Sequence, residues 1–311
     1  MSSFLSCILF LLFCLWEAVL GIMSKRMAVV YYSGTGGSER VAKVFETSLT
    51  KVGYTVDIFR LFDNPRIILE NDVSLMLVYP VHAFNAPDLV YKWVENLSVV
   101  DNIHACVVSV SGGGEMRPNT ACRLGAIKRL KKKGYNVIYE KMLVMPSNIG
   151  VATKEPLAKM LLDILPKKVE DIVADIENGI IRRRKPFFFD RFASMVGKVE
   201  KYGARIFGKR IKVSDSCNGC GWCADNCPAG NIIMEAGKPT FAGKCHLCLG
   251  CLYGCPSKAL EPGFMKQILI KEGYDLNSLE NKGAAGYEVD VEGLTKGSLW
   301  KGLRKYLSEN N

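Results

Sequence analysis

Two stretches of this 311-residue chain share one form. CNGCGWCADNCP and CHLCLGCLYGCP each read C-x2-C-x2-C-x3-C-P, and the second repeats the first at an offset of 28 at every cysteine and at the proline. Eight of the twelve cysteines belong to these runs: Cys217, Cys220, Cys223 and Cys227, then Cys245, Cys248, Cys251 and Cys255. The other four, Cys7, Cys14, Cys106 and Cys122, are scattered without spacing. Cysteines clustered at fixed short intervals fit metal ligation better than a disulfide framework.

The spacing has a chemical reason. Three thiolates at C-x2-C-x2-C can wrap one face of an iron–sulfur cube from a single loop, and the fourth cysteine, ahead of its proline, leaves that loop and reaches the other cube. Cys217, Cys220, Cys223 and Cys255 are therefore expected to hold one 4Fe–4S cluster, and Cys245, Cys248, Cys251 and Cys227 the other. Small residues between them let backbone N–H groups approach the sulfurs, which tunes potential. Eight thiolates could instead bind two zinc ions, although zinc ribbons pair two separated CxxC knuckles. His246 has no ligand role in the pattern and is expected at the surface. This stretch, residues 214–263, resembles the bacterial two-cluster ferredoxins, a small α+β module.

Upstream, strand-like and helix-like segments alternate from Met27. MAVVYYS, TVDIFRL, SLMLVY, ACVVSV and NVIYEKMLV read as five strands. SLMLVY is continuously apolar, which suits a strand buried on both faces. Helical spacing marks ERVAKVFETSLTKVG, DLVYKWVENL, a segment opened by Pro118, and a long amphipathic stretch over 155–179 with a bend expected at Pro166. Five strands alternating with helices imply an α/β fold, a parallel sheet covered on both faces.

The loop after the first strand, SGTGGSE, holds three hydroxyls, Ser33, Thr35 and Ser38, interleaved with Gly34, Gly36 and Gly37 at the start of a helix. It lacks the lysine of a Walker A loop. Glu39 stands where a dinucleotide fold has its third glycine, and Asp57, at ribose distance downstream, reads as mid-strand. Hydroxyl and backbone N–H donors at a helix N-terminus suit a terminal phosphate monoester. A glycine-rich turn without ligand is the alternative. The loop fits the flavodoxin form Ser/Thr-x-Thr-Gly-x-Ser/Thr, and residues 27–179 resemble the flavodoxins, whose ligand is FMN. That resemblance implies that the loops after the third and fourth strands sandwich the flavin ring. Here these are YPVHAFNAP, with Pro80, His82, Phe84 and Asn85, and SGGGEMRPN, with Ser111, Gly112, Gly113 and Gly114. Many flavodoxins carry a glycine in the first of these loops, and this chain has none.

The formal charge is +10, but residues 182–212 hold eleven Lys and Arg against Asp190 and Glu200. The rest of the chain is nearly neutral, which argues against a nucleic-acid binder. In the same segment Phe192, Met195, Val196, Val199 and Ile206 recur at helical spacing. One reading is a connecting helix whose apolar stripe packs on its own domains; the other is a membrane-surface helix or a docking site for an acidic partner. Near the end, Leu299, Trp300, Leu303, Tyr306 and Leu307 share a helical face expected to pack back on a domain. At the start, residues 4–23 are almost continuously apolar apart from Glu17. A start misassigned ahead of Met23 or Met27, a membrane anchor and a signal peptide all fit them. Lys25 and Arg26 behind an anchor would keep the rest cytoplasmic.

The expected organisation is a hydrophobic segment (1–26), a flavodoxin-like domain (27–180), a basic linker (181–213), a two-cluster module (214–263) and a tail (264–311). The combination resembles the flavodoxin–ferredoxin fusion proteins and implies electron transfer among FMN, two clusters and an external redox protein or small-molecule donor or acceptor. A flavoenzyme using His82, Glu115 or Arg117 at the flavin, with the clusters as its wire, is the second expectation. A ferredoxin whose flavin domain has lost FMN is the third.

Overall fold

The computed structural model describes residues 25–62, 70, 73–271, 273–281 and 289–309. The apolar segment 4–23 lies outside them, so its three readings stand as expectations. Among the described residues no helix is long and apolar enough to cross a membrane.

Five strands form one parallel sheet: β1 (Arg26–Tyr31), β2 (Thr55–Arg60), β3 (Ser74–Pro80), β4 (His104–Ser111) and β5 (Asn136–Val144). Their order is β2-β1-β3-β4-β5. This is the flavodoxin-like doubly wound order, and it places the topological switch point between β1 and β3. β3 is buried along all but its last residue, as a central strand between two helical layers requires. One layer is α1 (Gly37–Lys51) and α4 (Glu155–Glu177). Val41, Phe45 and Leu49 of α1 and Leu161, Leu165 and Val169 of α4 meet Met76, Val78 and Val108 of the sheet. The other layer is α2 (Asp88–Asn96) and α3 (Leu124–Lys132), packed on Val30, Leu75, Leu77 and Val107.

One local expectation needs correction. α3 opens at Leu124, not at Pro118. A short 3-10 turn, Asn119–Ala121, comes first. The Asp190 carboxylate accepts the Thr120 N–H at 3.2 Å and the Thr120 hydroxyl, and so satisfies the turn from outside the helix. α4 is one element from Glu155 to Glu177 with Pro166 inside it, so the proline does not end the helix.

The basic segment carries α5 (Phe188–Gly197) and α6 (Glu200–Lys209). The cysteine-rich region behind it is a small α+β unit. It comprises β6 (Lys212–Val213), α7 (Trp222–Asp225), the hairpin β7 (Ile232–Glu235) and β8 (Lys238–Phe241), α8 (Gly250–Gly254), and β9 (Leu260–Glu261), which pairs with β6. α7 and α8 keep the offset of 28 and pack closely: a Cβ on Gly254 would lie 1.9 Å from the Trp222 ring. In the tail are α9 (Leu276–Asn281), α10 (Val291–Leu294) and α11 (Lys301–Ser308). Leu303, Tyr306 and Leu307 of α11 enter the same core as α1 and α4, but Leu299 is exposed.

The linker is tied to the sheet by charge. Arg123 is almost fully buried and donates from Nε to Glu140 of β5 at 2.9 Å and from Nη1 to Ser109 at 2.9 Å, and it pairs with Glu115. The second Glu140 oxygen accepts from the Arg183 side chain at 3.0 Å and from the Arg184 N–H at 2.8 Å. Burial alone would raise the Glu140 pKa; the Arg123 charge and these donors outweigh it and hold the carboxyl below its ordinary value. Removing one member leaves the buried Arg123 or Glu140 charge without its partner. Glu140→Ala is expected to lower the unfolding free energy by about 3–5 kcal/mol in urea titration. A loss under about 1 kcal/mol would mean that Arg123 finds other partners.

Candidate functional site

The carboxyl ends of β1, β3, β4 and β5 open into a cavity of about 320 Å³. That is the size class of small-ligand sites, and it lies at the switch point. The β1 loop contributes Ser33, Gly34, Thr35, Gly37 and Ser38. Ser33 Oγ accepts the Gly36 N–H at 3.1 Å, and Gly36, with φ of 91°, turns the chain into α1. Thr35 Oγ1 accepts from Asn148 Nδ2 at 2.8 Å. Ser38 is buried, yet its hydroxyl has no partner. An orphan donor in the first turn of a fifteen-residue helix, beside N–H groups that no side chain caps, fits an anionic ligand.

The loop after β3 contributes Pro80, His82 and Phe84. His82 and Asn85 exchange backbone hydrogen bonds at 2.9 and 2.8 Å, closing a two-residue turn. Ala83 (φ 39°) and Phe84 (φ 63°) occupy its centre, where glycine or asparagine is favoured. The loop lacks glycine but adopts left-handed backbone all the same, a cost of order 1–3 kcal/mol per residue that surrounding contacts must offset. α5 supplies them. Asn85 Nδ2 donates to the Ser194 carbonyl and the Ser194 hydroxyl donates to Asn85 Oδ1, both at 2.7 Å, while Gly197 lies against the Ala83 carbonyl.

The β4 loop contributes Ser111, Gly112 and Gly113. Gly36, Asn85 and Gly114 do not line the cavity: Gly36 is the helix cap, Asn85 faces α5, and Gly114 packs on Gly302 of the tail. Three contributors outside the cysteine region escaped the sequence reading, Tyr274 of the tail among them. Pro146, Ser147 and Asn148 follow β5, whose carboxyl end had to face the same edge. Glu200 comes from α6, far off in sequence, and burial pushes its carboxyl up to about 7.

The cysteine region closes the cavity. Leu247, Cys248 and Leu249 form part of its wall. A Cβ on Gly34 would sit 2.5 Å from Cys248 Cβ, and a Cβ on Gly250 would sit 2.5 Å from the Gly34 carbonyl oxygen. The β1 loop and the second cysteine loop thus touch backbone to backbone. His246 is not at the surface but half-buried, with its ring 6.5 Å from the Tyr32 ring. His82 packs edge-on against Tyr32 at 6.0 Å. Burial and the neighbouring His246 lower the His82 pKa to about 4, so it is neutral at pH 7.

The ten described cysteines are free thiols. Cys217, Cys220, Cys223 and Cys255 line one small cavity. Burial raises the Cys251 pKa well above its ordinary value, and the nearby Cys248, Cys245, Cys227 and, last, Cys223 thiols raise it further, while Cys245 and Cys248 each feel Cys227. Each set thus includes the fourth cysteine of the opposite run. Asn231 N–H donates to Cys227, Leu247 N–H to Cys245 and Ala259 N–H to Cys255, each at 3.3 Å. Among the described residues no three His, Cys, Asp or Glu side chains form a single-ion site. The Tyr32 hydroxyl is fully buried beside the Cys248 thiol; burial, then that thiol, push its pKa well up. Eight thiols in two sets, with N–H donors at sulfur and a tyrosine hydroxyl at one of them, fit thiolate-ligated clusters.

No family model and no curated protein matches the chain. Among solved structures, a flavodoxin from Pseudomonas aeruginosa is 13% identical with a TM-score of 0.36 and covers 50% of this chain and 98% of its own. A Streptococcus pneumoniae TIGR4 flavodoxin is 14% identical with a TM-score of 0.34, covering 48% and 99%. A flavodoxin from the domain Archaea is 12% identical with a TM-score of 0.34, covering 49% and 99%. The strand order, not these likenesses, carries the fold assignment.

Glu200 yields a pH prediction. A carboxyl whose folded pKa is raised stabilises the fold relative to its ionised form only while protonated, so stability falls as pH rises from about 4.5 to about 7. Glu200→Gln should match the parent in urea midpoint at pH 4.5 and exceed it at pH 8. An equal gap at both pH values would show that burial does not raise this carboxyl.

Proposed function

We propose that the chain is an electron-transfer protein that holds FMN in the cavity at the carboxyl edge of the sheet and two 4Fe–4S clusters in the cysteine region. When bound, FMN would exchange two electrons and each cluster one. The β1 loop would receive the phosphate, with Ser38 Oγ and the first N–H groups of α1 as donors. Phe84 and the Ser111–Gly113 backbone would flank the ring. Neutral His82 and the second cysteine loop wall the same space.

The observation that carries this reading is the direct contact of Gly34 with Cys248. It makes the set Cys227, Cys245, Cys248 and Cys251 the inner one, against the flavin cavity. The set Cys217, Cys220, Cys223 and Cys255 is then the outer one. Cys220 is exposed, which suits exchange with an external redox partner. Covalent tethering replaces diffusional encounter between carriers with a fixed short path.

The enzyme reading has one supporting observation: Glu200, half-ionised near neutrality, lines the cavity. Of the three residues expected to serve it, only His82 lines that space. Glu115 pairs with Arg123 and Arg184, and Arg117 lies over the Phe187 ring beside Asp190. With no second ionised group beside Glu200 in the cavity wall, the carrier reading is preferred.

Anaerobic purification should give brown protein with about eight iron atoms and one FMN per chain. Ser38→Ala should keep the iron and weaken FMN binding about tenfold, the worth of one hydrogen bond to a charged group. Colourless protein with zinc would overturn the reading. Iron without flavin would remove the role assigned to the cavity.

A further inference from the structure

α5 and α6 are built inside out. Their inward face carries small or polar residues: Asp190, Ser194, Gly197, Glu200 and Ala204, with Phe207 the one large apolar side chain. Their outward face carries the large apolar ones. Phe188 is 78% exposed, Phe192 59%, Val199 64% and Ile206 51%, and Met195, Val196 and Tyr202 lie on the same side, also exposed. Helices on globular surfaces present the opposite arrangement. Among the described residues this stripe does not pack on the chain's own domains, which corrects the blander expectation from sequence. Lys198 and Val199 join the two helices with right-handed helical backbone, so the stripe continues across the joint for roughly 30 Å.

The charges around the stripe are of one sign. All eleven Lys and Arg between 182 and 212 are exposed. Both acids of the segment face inward: Asp190 is buried against Thr120, and Glu200 lines the cavity. Arg183 and Arg184 are engaged with Glu140 and Glu115, but Lys198, Lys201 and Arg205 flank the apolar stripe directly. A second copy docked here would oppose two cationic faces, which is unfavourable. An anionic lipid surface supplies what both features need: negative headgroups for the cations and an acyl boundary for the aromatic and aliphatic side chains.

We propose that the outward face of α5 and α6 lies in the surface of an anionic membrane, with Phe188, Phe192, Met195, Val199 and Ile206 in the acyl boundary and Lys198, Lys201 and Arg205 at the headgroups. Membrane docking by this face does not require bound cofactors. It does have a bearing on them, because the inward face of the same helices holds the Ala83–Phe84 turn at the cavity.

The test is flotation of the full chain with vesicles of phosphatidylcholine alone and of phosphatidylcholine mixed with phosphatidylglycerol. The chain should bind the anionic vesicles in preference and lose affinity as salt rises. Phe188→Asp, Phe192→Asp and Val199→Asp together should weaken that binding more than about tenfold with thermal stability and iron content unchanged, since these side chains face outward. Lys198→Glu, Lys201→Glu and Arg205→Glu together should remove the preference for anionic vesicles. Residues 4–23 are present in every variant, so unchanged binding by the aspartate variant would overturn the proposal. So would equal binding of the parent to neutral vesicles, or a stripe that proves to be covered by an acidic protein or a second copy while vesicles remain unbound.

Discussion

The arrangement rests on one approach of backbone to backbone. Gly34 in the first βα loop and Gly250 in the second cysteine loop leave no room between them for a side chain. The same loop must therefore do two things. It opens α1, leaving N–H groups and the Ser38 hydroxyl free for an anion, and it presents a flat surface to Cys248. Any larger residue at either position would separate the cavity from the thiol set by the width of a side chain. Around this contact the buried Tyr32 hydroxyl, neutral His82 and half-buried His246 fill the seam.

A second constraint fixes the linker. Buried Arg123 needs two carboxylates, and one of these, Glu140, is itself completed by Arg183 and by the Arg184 N–H. The chain leaving α4 is thus held against β5, where Arg182 also bridges Tyr139. From there Asp190 binds the Thr120 turn and Ser194 binds Asn85. The polar side of α5 is consumed by these bonds, and Glu200 of α6 faces the cavity. The large apolar side chains are left outside, which explains the inverted helices without any appeal to poor packing.

The sheet was legible because its central strands are continuous apolar runs, and SLMLVY and ACVVSV fall within β3 and β4. The cysteine spacing set the expectation that Cys255 joins the first run, and Cys217, Cys220, Cys223 and Cys255 line one small cavity. The stripe at 188–206 was visible as a helical period, but periodicity says only that a face exists, not which way it points. That depended on Asp190 and Ser194 finding partners 70 and 109 residues away in sequence. Glu200 was hidden for the same reason, since only tertiary packing brings α6 to the cavity. His246 looked solvent-exposed because nothing near it in sequence told of Tyr32 and His82. The Ala83–Phe84 turn defied prediction because neither residue favours positive φ, and the support lies in α5.

The proposed electron path runs from the cavity at the sheet edge to the inner cysteine set within a single chain. The direct test is the rate of cluster reduction after flash reduction of bound flavin, followed by absorbance over a wide range of protein concentrations under anaerobic conditions. The contact through Gly34 and Cys248 predicts a first-order rate independent of concentration. A rate that rises in proportion to concentration would place the exchange between molecules and contradict the account.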